Sequence, residues 1–435
     1  MFLDLTPLKI SKDYRLLFIG QLISFFGTMM TFIVVPVQMY QLTESNLYVG
    51  LIGVAEFVPM FFLAFIGGAL ADAVDRRRIL RLTEIGQLIT TLILLANALL
   101  PTPQIWVLFI AVGIHAGLAG LQRPSFEALI PKIVPLEHMS AVAALNSLRA
   151  EFGFIVSPIV GGFIVAVYGA SLAYFIDSLT FIASLIAVWM IRAVPSPANA
   201  DRPNFTSIKN GFRYAIGRQE ILGTYLIDIN AMFFGMPKAL FPALAFSLGM
   251  AAYVGWFYSA IAVGALIATF TSGWTKYVYR HGLMVAIAAG GWGVAIIFFG
   301  LSSSNLYLAL FFLGVAGFFD MYSGVFRQTI WNQSVPEKFR GRLAGLEMIS
   351  FLTGPMLGDA ESGVVAYFTD VKTSIISGGV LAVVGTIVLA LLLPKFIRYD
   401  GREGLKQKRR EDAEAEHAAG ASDSIEVNER DIINH

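Results

Sequence analysis

Cysteine is absent from the 435 residues, and charge is scarce, with Asp, Glu, Lys and Arg together making up 14% of the chain. The first absence excludes disulfides and thiolate metal sites and leaves the redox compartment open. The second excludes an ordinary soluble domain, in which about 25% of residues are charged. There is also no Walker loop, no dinucleotide fingerprint, no His-Glu metal motif and no cysteine nucleophile, so nucleotide-driven pumping and membrane-enzyme chemistry have no visible carrier. The expectation is a non-enzyme with no cofactor and no metal, and at a formal net charge of +1 no nucleic-acid partner is expected.

What the chain has instead is apolar length. Apolar residues make up 56% and the mean hydropathy is +0.69, which places it in the lipid bilayer. Segments of the roughly 20 apolar residues that a spanning helix needs recur from Leu16 to Lys395. Strict ten-residue alternation, the mark of a membrane barrel, is missing. Spans are expected over residues 16–41, 47–71, 79–100, 105–130, 140–167 and 171–192, then 221–248, 253–275, 283–301, 305–332, 342–368 and 373–395. The domains follow: a six-helix bundle over 1–192, a linker over 193–219, a second bundle over 220–395 and a disordered tail over 396–435. Met1 to Gly20 reads as the start of the first span, not as a cleavable leader.

Charge placement orients these spans. Lys9, Lys12 and Arg15 precede the first span, Arg76-Arg77-Arg78 follow the second, and Lys132 follows the fourth. Later, Lys276 and Arg280 follow the eighth span and Lys338, Arg340 and Arg342 the tenth, whereas the alternate loops are almost uncharged. By the positive-inside rule both termini are expected in the cytoplasm. The halves also echo each other: Val134-Pro135-Leu136-Glu137 returns as Val335-Pro336-Glu337-Lys338, and Ser157-Pro158-Ile159-Val160-Gly161-Gly162 as Gly354-Pro355-Met356-Leu357-Gly358. Two six-span halves in one orientation form a parallel repeat, with a site expected between them.

These residues resemble the major facilitator superfamily across nearly the whole chain up to Lys395. The segment Gly68-x-Leu70-Ala71-Asp72-x-x-Asp75-Arg76-Arg77-x-x-Leu80 is similar to that superfamily's loop signature between helices two and three, with Asp75 where glycine is usual. Gly153-x-x-x-Ser157-Pro158-x-x-Gly161-Gly162 is similar to the helix-five signature of proton-coupled antiporters. Val35-Pro36-Val37-Gln38, Ala144-Leu145-Asn146-Ser147-Leu148 and Gly341-Arg342-Leu343-Ala344-Gly345-Leu346 look like the branch of siderophore exporters and macrolide efflux pumps. The resemblance implies an all-α polytopic membrane protein with twelve transmembrane helices in two bundles related by a pseudo-two-fold. It also implies proton-driven export of a siderophore or lipophilic drug across a bacterial inner membrane, with proton-coupled import of an organic solute, or a non-transporting membrane sensor or scaffold, as the alternatives. A monomer is expected, with protons, a small-molecule substrate and the lipid bilayer as its partners.

An ionisable group deep in a span costs about 2.5–3.5 kcal/mol on insertion scales, so each one needs a reason. Proton coupling requires a carboxylate that loads at one face and releases in step with substrate. Glu56, beside Pro59, is the first candidate, followed by Asp228, Asp320 and Asp177, each with structural pairing as the plain alternative. Lys238 is either a cavity cation or a side chain snorkelling to the surface. His115, Phe233, Phe234 and Tyr322 are further cavity candidates, with ordinary packing as their alternative. Arg123, Arg149, Glu127, Glu151 and Glu347 lie near helix ends, where a charge network with Asp72 would latch a gate. Asp72 itself is expected to face the helix start at Gly341 and Arg342.

Overall fold

The computed structural model describes residues 4–73, 75–192, 213–336 and 340–413. Every regular element among them is helical. In lipid a backbone group has no water to bond, so each span must satisfy its own N–H and C=O groups, and a helix does so within one segment. The first six long helices are α1 Lys12–Thr43, α2 Asn46–Ala73, α3 Arg76–Ala98, α4 Ile105–Ile133, α5 Met139–Tyr168 and α6 Ala170–Met190. The second six are α7 Gln219–Gly235, α8 Val254–Thr271, α9 His281–Leu301, α10 Leu306–Ser334, α11 Arg340–Phe368 and α12 Val371–Leu392. Among the described residues, eleven helical spans are long and apolar enough to cross a membrane. The twelfth, α11, matches them with 29 residues and carries Glu347, Asp359 and Glu361.

Polar residues set several of the helix starts. The Ser11 hydroxyl accepts from the Tyr14 N–H at 3.1 Å, and Asn305 and Asp370 cap α10 and α12 in the same way. Asp75 accepts from the Arg77 N–H at 2.9 Å and so caps α3. Capping accounts for an aspartate where the resembling loop signature has glycine, because a carboxylate satisfies an orphan donor at a helix N-terminus. Arg77 donates to the Ile191 carbonyl at 2.5 Å and Arg81 to that of Trp189 at 3.0 Å. The arginine loop is thereby tied to the end of α6, where helix carbonyls favour a cation.

Packing repeats between the halves. In the first, α2 lies on α4, α1 on α6, α3 on α4 and α6, and α5 on α1 and α6. The second reproduces every pair six helices later: α8 on α10, α7 on α12, α9 on α10 and α12, and α11 on α7 and α12. The principal seams between bundles, α2 with α11 and α5 with α8, also exchange under that relation. Two six-helix bundles related by a pseudo-two-fold follow directly from this pattern.

The bundles meet at small residues on the side opposite the arginine loop. A Cβ on Gly50 would lie 3.1 Å from the Gly363 Cα, and one on Gly53 would lie 3.2 Å from the Asp359 Cβ. On the other seam a Cβ on Gly162 would lie 2.6 Å from the Gly255 nitrogen, and the Ser259 hydroxyl donates to the Ile155 carbonyl at 2.7 Å. Backbone-to-backbone approach of this kind requires glycine and shuts that end of the molecule.

The stretch expected as a disordered tail from 396 differs over its first part. Residues 401–413 are helical, and Phe396, fully buried, packs on Gly223 and Gly282. Tyr399 accepts from the Ser334 hydroxyl at 3.0 Å. Its own hydroxyl is pushed up to about 12 by burial and so stays protonated. These two aromatic anchors draw a polar segment back onto the second bundle.

Candidate functional site

The site is built around a break in the seventh span. Pro237 has no N–H to continue α7, so the chain passes through a 3₁₀ turn, Lys238–Leu240, before resuming as a short helix, Phe241–Ser247. A broken helix is tolerated at membrane depth only when neighbours satisfy its freed groups, and three do. Trp292 of α9 donates to the Gly235 carbonyl at 3.1 Å, Tyr258 of α8 donates to the Lys238 carbonyl at 3.1 Å, and the Ala239 N–H donates to an Asp359 carboxylate oxygen of α11 at 3.0 Å.

That turn holds Lys238 at the boundary between the bundles. Lys238, Glu56 and Asp359 line one cavity of about 20 Å³ together with Phe32, Pro36, Gly53 and Tyr258. The Lys238 ammonium stands 6.0 Å from the centre of the Phe32 ring. Lys238 lines this cavity and does not reach the surface along it. Glu56 comes from the first bundle, and Lys238 and Asp359 come from the second. With two carboxylates to one cation, the site can take up a further proton on a carboxylate, or a cationic group, at the cost of loosening a contact across the seam.

The other carboxylates lie elsewhere. Asp228 is 2.5 Å from Arg327, and Arg327 is 4.0 Å from Asp320, so α7 and α10 are cross-tied inside the second bundle. Beside them a cavity of about 180 Å³ on the arginine-loop side is lined by Tyr225, Arg327, Trp331, Glu347 and Ser350. Asp177 is fully buried and accepts from Thr31 at 2.6 Å and from Thr180 at 3.1 Å, with Thr91 at 3.5 Å. It thus joins α1, α3 and α6 within the first bundle. Glu84, one turn or more below, accepts from Gln21 at 2.7 Å and Ser184 at 2.9 Å across the same seam.

His115 pairs through Nδ1 with the Thr90 hydroxyl at 3.2 Å and packs edge-on to Phe181, so it belongs to the first bundle's interior. Phe233 and Phe234 contact each other at 4.9 Å where α7 meets α11 and α12. Tyr322 bonds Thr271 at 2.9 Å and Trp274 at 3.0 Å inside the second bundle, away from Glu56. The helix-five residues divide by partner: a Cβ on Gly153 would meet the Phe25 ring and one on Gly161 would meet Met30, both on α1, whereas Pro158 and Gly162 face Gly255 of α8.

Arg123 and Glu127 pair on the surface at 3.1 Å, and Arg149 lies over Phe25 and Phe126 at 5.1 and 5.3 Å. Arg76 is buried. The side chains of Asp72 and Arg342, and the surroundings of Gly68 and Gly341, lie outside the described residues. Sequence reasoning missed Asp359 and Arg327. For Asp359 a signal existed, since it directly follows Gly354-Pro355-Met356-Leu357-Gly358 and is an ionisable group in mid-span.

Comparison with known proteins agrees with this architecture. A family model described as transmembrane secretion effector matches residues 4–417. The chain is 29% identical to an enterobactin exporter of Escherichia coli O1:K1 over 394 residues, which is 90% of this chain and 94% of that protein. It is also 29% identical over 393 residues to the enterobactin exporter of Citrobacter koseri, at the same coverage. Among solved structures, a bacterial homologue of the iron transporter ferroportin in an inward-facing state superposes with a TM-score of 0.69 at 15% identity, covering 87% of this chain and 98% of that one. A POT family transporter in complex with 5-aminolevulinic acid gives 0.71 at 12% identity, covering 89% and 97%.

Proposed function

The chain belongs to the transmembrane secretion effector family of major facilitator transporters, and on that premise we propose that it is a proton-coupled exporter of an amphipathic small molecule, a siderophore or a lipophilic drug. The two bundles rock about the central seam, and the inner-membrane protein keeps both termini in the cytoplasm. In that orientation the closed glycine seams lie on the outer side.

One observation carries this reading: Glu56, Lys238 and Asp359 share a cavity at the seam that must open for release. Protonating Glu56 or Asp359 from the outside removes a charge that Lys238 helps to hold, and substrate loading on the cytoplasmic side restores the demand for it. Asp228 and Asp320 are engaged within the second bundle by Arg327, and Asp177 within the first by threonine hydroxyls. They therefore serve less directly as the coupling group. The similarity to enterobactin exporters supports export and brings siderophores into the substrate class.

Inside-out vesicles carrying the full chain test the proposal. Accumulation of a labelled siderophore or lipophilic drug that collapses when the proton gradient is dissipated is the expected result. Uptake confined to right-side-out vesicles would assign import instead, and accumulation indifferent to the gradient would remove proton coupling.

A further inference from the structure

We infer that the helix of residues 401–413 is a docking surface for anionic phospholipid headgroups on the arginine-loop side of the membrane. The inference stands apart from what the protein carries. After α12 ends at Leu392, the buried Phe396 turns the chain beneath the second bundle, and one face of the following helix is committed to that bundle. The Gly401 N–H donates to the Tyr279 carbonyl at 3.0 Å, Gly404 packs on the Tyr399 ring, and Lys408 donates to the Asn332 carbonyl at 3.2 Å. Glu411 accepts from the Tyr214 hydroxyl at 3.0 Å and forms an ion pair with Arg218. Positions 401, 404, 408 and 411 fall on one side of a helix, as the 3.6-residue period requires.

The opposite side carries Lys406, Arg409 and Arg410, with Glu403 among them, all exposed, and is flanked by a Leu405 that is 38% exposed. Arg402 is not counted with them, because Asp400 holds it at 2.6 Å. Hydrogen bonds from Arg402 pull the Asp400 carboxyl down to about 2, so the pair stays internally neutral. Of the acids near the stripe, Glu411 is turned inward onto Arg218 and Glu403 is exposed beside Lys406 and Arg410, so that face keeps three basic residues against one carboxylate.

The neighbourhood sets the depth. Tyr277 and Tyr279 are 70% and 47% exposed, and exposed aromatics at the end of a span mark the headgroup layer. The Arg402 guanidinium lies 4.3 Å from the centre of the Tyr279 ring and the Lys276 ammonium 4.9 Å from that of Tyr277, so the helix begins at that level. A basic stripe on a helix immediately after a span attracts anionic lipid.

The test uses the full-length protein in detergent, titrated with phosphatidylglycerol or phosphatidylcholine and read by native mass spectrometry of retained lipid. Wild type is expected to retain phosphatidylglycerol preferentially, and K406Q/R409Q/R410Q to lose at least about tenfold of that preference, since each basic residue near an anionic surface contributes roughly fivefold. The charge-preserving K406R/R409K/R410K should keep it. An unchanged preference in the glutamine variant would overturn the inference, as would a wild type that does not discriminate between the lipids. Should the glutamine variant fail to fold, the salt response of wild type decides: weakening at high salt supports the assignment and indifference overturns it. Tighter binding of a soluble polyglutamate peptide than of phosphatidylglycerol would give the stripe to a soluble partner and overturn it as well.

Discussion

Arg327 of α10 lies 2.5 Å from Asp228 of α7, with the Asp228 side chain 3% exposed. An ion pair this buried contributes little net stability when intact, but removing one partner strands a charge at a cost of about 3–5 kcal/mol. Arg327→Leu is therefore expected to lower the melting temperature of the purified protein sharply. The double variant Arg327→Leu/Asp228→Leu should recover much of the loss, because no charge is then left unpaired. A double variant as unstable as the single one would mean that Arg327 owes its role to Asp320 or Glu347.

Glu56→Gln should behave in the opposite way. The cavity that Glu56 shares with Lys238 and Asp359 lies on the seam between bundles, so neutralising it is expected to leave thermal stability intact while abolishing accumulation driven by a proton gradient. Asp359→Asn keeps an acceptor for the Ala239 N–H and should show the same uncoupling more weakly. Counterflow of labelled substrate, which needs no net proton movement, separates the two steps. Loss of counterflow in Glu56→Gln would make Glu56 a binding group and not a coupling group.

How much of this was legible follows from what a sequence encodes. The number of spans, the repeat and the basic loops are properties of composition along the chain, and lipid imposes them strongly. Depth in the membrane was legible too, which is why Glu56, Lys238, Asp228 and Asp320 stood out. Azimuth was not. Whether a mid-span carboxylate points across the seam like Glu56 or into its own bundle like Asp177 depends on helix rotation, which a uniformly apolar span does not record. The α7 break had its sign in Pro237, but the groups that stitch it come from Trp292, Tyr258 and Asp359 on three other helices. In the tail, the polarity of 401–413 concealed two aromatic anchors, Phe396 and Tyr399, placed just before it.

Asp177 supplies a control for the coupling assignment. Its carboxylate gathers hydroxyls from Thr31, Thr180 and Thr91, all inside the first bundle. Asp177→Asn preserves an acceptor and is expected to transport nearly as wild type. Asp177→Ala should destabilise by about 1–3 kcal/mol through buried hydroxyls left unsatisfied. Proton-driven transport lost in a stably folded Asp177→Asn protein would move the coupling role from the seam into the first bundle.

The closed seam makes the last prediction. A Cβ on Gly162 would come within 2.6 Å of the Gly255 nitrogen, and backbone cannot yield as a flexible side chain can. Gly162→Ala is therefore expected to hold α5 away from α8, costing about 1–3 kcal/mol in the conformation described here and tilting the equilibrium towards the one open on that side. Gly290→Ala, on α9, is the matched control, because a Cβ there meets nothing within 4 Å. Single cysteines placed at Ser259 in wild type and in Gly162→Ala would report the shift, since the chain contains no other thiol. Faster reaction with a membrane-impermeant maleimide is expected in Gly162→Ala, alongside slower transport. Equal labelling rates, with Gly162→Ala and Gly290→Ala transporting alike, would show that the α5–α8 seam opens without needing glycine.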